Sequence, residues 1–185
     1  KRYGMRSLDT AGYKQLLVEI YVDRGEFEKA RELIREVMII QRHYHKPESL
    51  ELAATYLVAA AVDAETGNFD QSEAGLACVE KAYGRVTANS TLIDLAHLYV
   101  GRARLAYCRG DKSACFDFAN RALSEFACHF PDDHPVLVDA LAYAALATEE
   151  QRAELKVRLE RIVGRYKMNS WKLLEQLRRE VSQVI

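Results

Sequence analysis

The sequence predicts an all-α fold built as a solenoid of antiparallel helix hairpins, and three observations predict it. Tyr13, Tyr56, Tyr99 and Tyr143 recur at intervals of 43, 43 and 44 residues, while Gly25, Gly67 and Gly110 recur at 42 and 43. Each of those glycines separates two segments with apolar side chains at helical spacing. Glycine (9) and proline (3) are scarce in the 185 residues, which excludes long disordered or collagen-like stretches and a sandwich needing a turn every ten residues or so.

The first hairpin runs from Tyr13 to Gly25 and on from Glu26 to Ile40. The second runs from Tyr56 to Gly67 and from Asn68 to Tyr83, the third from Tyr99 to Gly110 and from Asp111 to Phe126. Glycine can end a helix in the left-handed conformation without a Cβ clash, so the chain reverses within a few residues. Phe27 and Phe69 follow the first two turns, three residues before Ala30 and Ser72. Cys115 takes the matching small position in the third unit, and a small side chain there lets two helix axes approach closely. Joints between units are polar or carry proline: residues 43–49 around Pro47, 87–91, and 130–135. Pro47 and Pro135 suit the first turn of a helix, where a missing N–H costs nothing.

This constellation resembles the tetratricopeptide repeat family over about residues 11 to 147. Gly25-Glu26-Phe27-Glu28-Lys29-Ala30 and Gly67-Asn68-Phe69-Asp70-Gln71-Ser72 match its turn, and Gly110-Asp111-Lys112-Ser113-Ala114-Cys115 matches without the aromatic. The family's usual unit is about 34 residues. The longer period here is similar to the long-helix variety found in kinesin light chains, as is Asp133-His134-Pro135 ahead of a first helix. Arg102 replaces the usual leucine, Asp63 replaces the usual aromatic, and the fourth unit lacks a glycine turn. The resemblance implies a right-handed superhelix with repeats at 11–46, 47–88 and 89–133, a half repeat at 134–147, and capping helices at 148–185, all in one domain.

Thr148-Glu149-Glu150-Gln151 reads as a capping box for a helix through about Gly164. Asn169 or Ser170 can cap a last helix carrying Trp171, Leu173, Leu174, Leu177 and Val181. From Arg152 onward nine Lys/Arg face four Glu. The plain reading is a charged cap that keeps the end of the array in solution; the sharper one is contact with an acidic partner or nucleic acid.

A formal charge of −1 does not fit a globally basic nucleic-acid binder, and no apolar stretch approaches the roughly 20 residues of a membrane crossing. Starting at Lys1 with no signal peptide, the sequence reads as part of a longer chain. Cys78, Cys108, Cys115 and Cys128 lie in helical patterns and read as reduced core thiols of a cytoplasmic protein. The rival is a Cys108–Cys115 disulfide across the Gly110 turn.

Several motifs resemble chemistry. Arg109 to Ser113 lacks the upstream glycine and strand of a phosphate loop, and Asn89-Ser90-Thr91 is a glycosylation site only in a secreted chain. His43, His45, Cys128, His129 and His134 match no zinc spacing, and His134 is explained by its place in the helix entry. No nucleophile sits on an elbow or beside an oxyanion loop. The sequence therefore predicts no enzyme, no cofactor and no metal.

Function falls to a groove lined by the first helices of the hairpins. With the inward face chosen by the family resemblance, its lining is Gln15, Glu19, Val22 and Asp23; then Ala54, Leu57, Ala61 and Glu65; then His97, Val100, Arg104 and Tyr107. Only Arg104 and His97 could grip a carboxylate. The expected occupant is a protein or peptide segment, extended or helical, with basic and apolar side chains, and not a membrane or nucleic acid. The helix bearing Trp171 could serve self-association. The alternative is the peptide- or small-molecule-sensing part of a bacterial transcription regulator whose DNA-binding domain lies elsewhere.

Overall fold

The computed structural model describes residues 7–84 and 92–166, together with 175 and 179. Among these residues every regular element is helical. The order is α1 (Leu8–Asp23), α2 (Phe27–Tyr44), α3 (Leu50–Glu65), α4 (Phe69–Tyr83), α5 (Leu92–Cys108), α6 (Lys112–Ala127), a 3-10 turn at Pro135–Leu137, α7 (Val138–Ala147) and α8 (Arg152–Arg165). Two compact units hold α1–α4 and α5–α8. Within the units consecutive helices pair as hairpins, α1 with α2, α3 with α4 and α5 with α6.

The three glycine turns share one hydrogen-bond pattern. Gly25, Gly67 and Gly110 have φ of 72°, 76° and 80°. After α1, the Gly25 amide donates to Val22 O at 3.0 Å and the Glu26 amide to Tyr21 O at 2.8 Å; Asn68 repeats the longer bond to Asp63 O at 2.8 Å, and Asp111 to Ala106 O at 2.9 Å. This is the Schellman closure, which satisfies carbonyls that the end of a helix leaves without partners. Helix starts are sealed by side chains. Ser7 and Ser49 hydroxyls accept from the amides of Thr10 and Leu52, and the Asp111 carboxylate accepts from the Ala114 amide at 3.0 Å.

In the first unit Val18, Ile34, Val37 and Ile40 pack with Val62. The small position works as expected: Ala30, Ser72 and Cys115 are each fully buried. Ser72 adds a bond from its hydroxyl to Ala60 O at 2.8 Å, tying α4 to α3. Gly75 sits one turn further on, where a Cβ would meet the Ala60 Cβ at 3.4 Å.

In the second unit eight of the ten residues of α7 are buried, as befits a helix apolar on every side. Around it pack Phe126, Leu137, Leu159 and Ile162. Arginines of α8 join this unit from outside. Arg152 Nε donates to Ala145 O at 3.1 Å, Arg158 Nε to Asp132 O at 3.2 Å, and Arg165 pairs with Asp133.

Three local expectations need correction. Pro47 does not enter α3: it precedes the Ser49 cap, inside a turn closed by the Ser49 amide on Lys46 O. Only Pro135 occupies a first turn, that of the 3-10 segment. Thr148 is the C-cap of α7 rather than a cap for α8, which begins at Arg152 without a side-chain cap. The cysteines are not all core thiols: Cys115 is buried, but Cys78 and Cys108 are half-buried and Cys128 is exposed, with no Cys108–Cys115 bridge across the third turn. The last helix around Trp171, its Asn169 or Ser170 cap, and the Asn89-Ser90-Thr91 motif lie outside the described residues.

Candidate functional site

The projected lining in the first unit falls on α1 and α3, which touch through Gln15 and Thr55. The buried Thr55 hydroxyl donates to Gln15 Oε1 at 3.1 Å. One turn along α1 stands Glu19, exposed, with Asp23 a further turn on. Partial burial and the neighbouring Asp23 charge hold the Glu19 carboxyl above the ordinary carboxylate range. Both α1 and α3 end on an acid, Asp23 and Glu65, with no basic residue in either last turn. The carbonyl-rich end of a helix already carries partial negative charge, so each acid deepens a potential that favours a cation. Leu57 is half-buried on α3.

Beside Gln15 and Glu19 the face of α1 is apolar and uncovered among the described residues. Tyr13 is 75% exposed, Leu16 58% and Ile20 46%. Gly12, Tyr13, Gln15, Leu16 and Glu19 border a shallow depression of about 510 Å³. Sequence reasoning missed Tyr13, Leu16 and Ile20 as surface residues. The signal was present: residues 15–22 are apolar around most of the helix, more than one buried face can use.

The four α5 residues are brought together differently. Arg104 Nε donates to the Tyr143 hydroxyl at 2.6 Å, and Arg104 Nη2 lies 4.0 Å from Asp139. The Tyr107 ring lies 5.9 Å from that of Tyr143, and Val100 packs against the core of the unit. His97 sets its ring edge-on to Phe126 at 5.2 Å. Desolvation pushes its imidazole below the ordinary histidine range, against the pull of Asp94 and Asp139, so it stands neutral at pH 7. Arg104 is thus committed within its own unit to α7.

Among the described residues no three His, Cys, Asp or Glu side chains converge as a metal would require. His134 caps the Pro135 turn, its Nδ1 accepting from the Val136 amide at 3.2 Å. Cys115 is no nucleophile. Burial pushes its thiol up to about 12, and its Sγ–H points at Tyr143 O, 3.6 Å away. No helix among the described residues is long and apolar enough to cross a membrane.

No family model and no curated protein matches the chain. Solved structures do. A crystal structure of a putative kinesin light chain from Podosopora anserina with nearly identical TPR-like repeats shares 18% identity, covers 91% of this chain and 82% of that one, and gives a TM-score of 0.51. A point variant of that same protein gives 0.53 at the same identity, over 88% and 77%. At that identity the likeness establishes the fold alone.

Proposed function

We propose that the chain is a non-catalytic protein-binding module whose α1 and α3 hold a partner segment carrying basic and apolar side chains. The reading rests on Gln15, Glu19, Asp23, Leu57 and Glu65, to which the exposed Tyr13 and Leu16 are added. His97, Val100, Arg104 and Tyr107 serve first in packing their own unit. The TPR-like architecture supports an interaction scaffold in general.

One observation carries the rest. Glu19 and Asp23, a turn apart, repel one another beside uncovered apolar side chains, so an incoming ammonium or guanidinium relieves the repulsion while its apolar neighbours bury Leu16 and Tyr13. Four free cysteines fit a reducing compartment such as the cytoplasm.

The test is titration of a fluorescent peptide alternating lysine and leucine against wild type, Glu19→Lys and Glu65→Lys at low and moderate salt. Both reversals weaken binding, most at low salt, where screening is least. Unchanged affinity in both variants rejects the reading.

A further inference from the structure

On the other side of α3 the first unit carries a groove of opposite character. It is an open cleft of about 670 Å³ between α2 and α4, with α3 as its floor. Tyr56, Ala59, Ala60 and Asp63 line it, about 180° around α3 from Ala54, Leu57, Ala61 and Glu65 at roughly 100° per residue. Arg31, Arg35 and Arg42 supply the α2 wall at a spacing that keeps all three on one stripe of the helix. Asp63 is the single acid of the lining.

Asp63 is drawn to Arg31 and Arg35, so one carboxylate stands against three guanidinium groups. Arg31 Nε is buried without a hydrogen-bond partner. The Arg42 guanidinium lies over the Tyr56 ring, 5.7 Å from its centre, which leaves its N–H fork for another acceptor. Between the two basic ends the walls are apolar, Ile34, Met38 and Ala74 among them. From Arg31 to Arg42 the stripe spans about 16 Å at the helical rise. That length takes about five residues of an extended chain at roughly 3.3 Å each.

We propose that this groove is a second peptide site, for an extended acidic segment with an apolar residue between two carboxylates. In an extended chain alternate side chains share a face, so an Asp-x-Leu-x-Asp pattern turns both carboxylates toward the arginines and the leucine toward the Ile34 and Met38 wall. The carboxylates meet the guanidinium forks of Arg35 and Arg42, the two exposed arginines of the wall. This site differs from the α1 and α3 surface in both face and charge, so each can fail alone.

The experiment is fluorescence anisotropy with labelled Asp-Ser-Leu-Ser-Asp and its Lys-Ser-Leu-Ser-Lys counterpart. Arg35, Arg42 and Ala74 are exposed, so Arg35→Glu with Arg42→Glu, and separately Ala74→Trp to fill the cleft, leave the core untouched. The acidic peptide binds wild type, loses at least about tenfold in affinity in both variants, and keeps its affinity in Glu19→Lys. Equal affinity across wild type and the two groove variants, preference for the lysine peptide, or no binding to wild type overturns the proposal. Decanoate shifting the amide NMR signals of the cleft residues while neither peptide binds overturns it as well, assigning the cleft to an aliphatic anion.

Discussion

Arg104 reaches from α5 to α7 and donates its Nε–H to the hydroxyl of Tyr143, a fully buried tyrosine. The bond joins two positions that play different parts in the sequence, one projected into a groove and one a marker of the repeat. It shows why a helical wheel places a side chain on a face without revealing what covers that face.

Tyr143→Phe removes the acceptor from a charged donor and lowers stability by about 1–2 kcal/mol, measured by urea unfolding. The same change at Tyr13, the matching repeat position but 75% exposed, stays within about 0.5 kcal/mol. Equal effects at both positions would show that the Arg104 bond contributes nothing.

Glycine substitutions separate backbone strain from packing. At Gly67 and Gly110 a Cβ meets nothing within 4 Å, but φ is +76° and +80°, so alanine costs about 1–2 kcal/mol through conformation alone. Gly12 is equally open but lies inside α1, so alanine there stabilises by up to about 1 kcal/mol. Thermal unfolding of the three variants should move in these opposite directions.

The cysteines divide by access. Cys128 is exposed and Cys115 buried, so iodoacetamide at pH 8 labels Cys128 and leaves Cys115 unmodified until the unit opens. Because the folded Cys115 thiol is raised from 9.0 to about 12, its contribution to stability is present in full below pH 9. That contribution is lost as pH rises from 9 toward 12, since the unfolded chain releases the proton first. Cys115→Ala should flatten that alkaline decline, read as urea midpoint against pH.

Glu19 has a raised pKa, so its charge disappears on acidification at a higher pH than that of an ordinary glutamate. Affinity for a lysine-bearing peptide falls over that same window. Asp23→Asn removes one cause of the shift and moves the Glu19 titration, followed by carboxyl carbon NMR, downward.

Much of the fold was legible in sequence because its determinants are local. A glycine needing positive φ, a small residue five positions on, and a serine or aspartate able to cap each act within a few residues. Gly25, Gly67 and Gly110, with Ala30, Ser72 and Cys115, stand where the period put them. Local ambiguity explains the errors at Pro47 and Thr148, where a turn and a helix start use the same residue types. The candidate site was less legible because it depends on neighbours. Tyr13 and Tyr143 share a repeat position but not an environment, and Arg31, Arg35 and Arg42 acquire meaning only once α4 faces α2 across α3.

The most direct measurement is backbone amide NMR of the chain titrated with the lysine–leucine peptide. The account predicts shifts that concentrate on α1 and α3, at Gln15, Leu16, Glu19, Leu57 and Glu65, with α2 and α4 little affected. Shifts confined to α2 and α4, or none at saturating peptide, would contradict it.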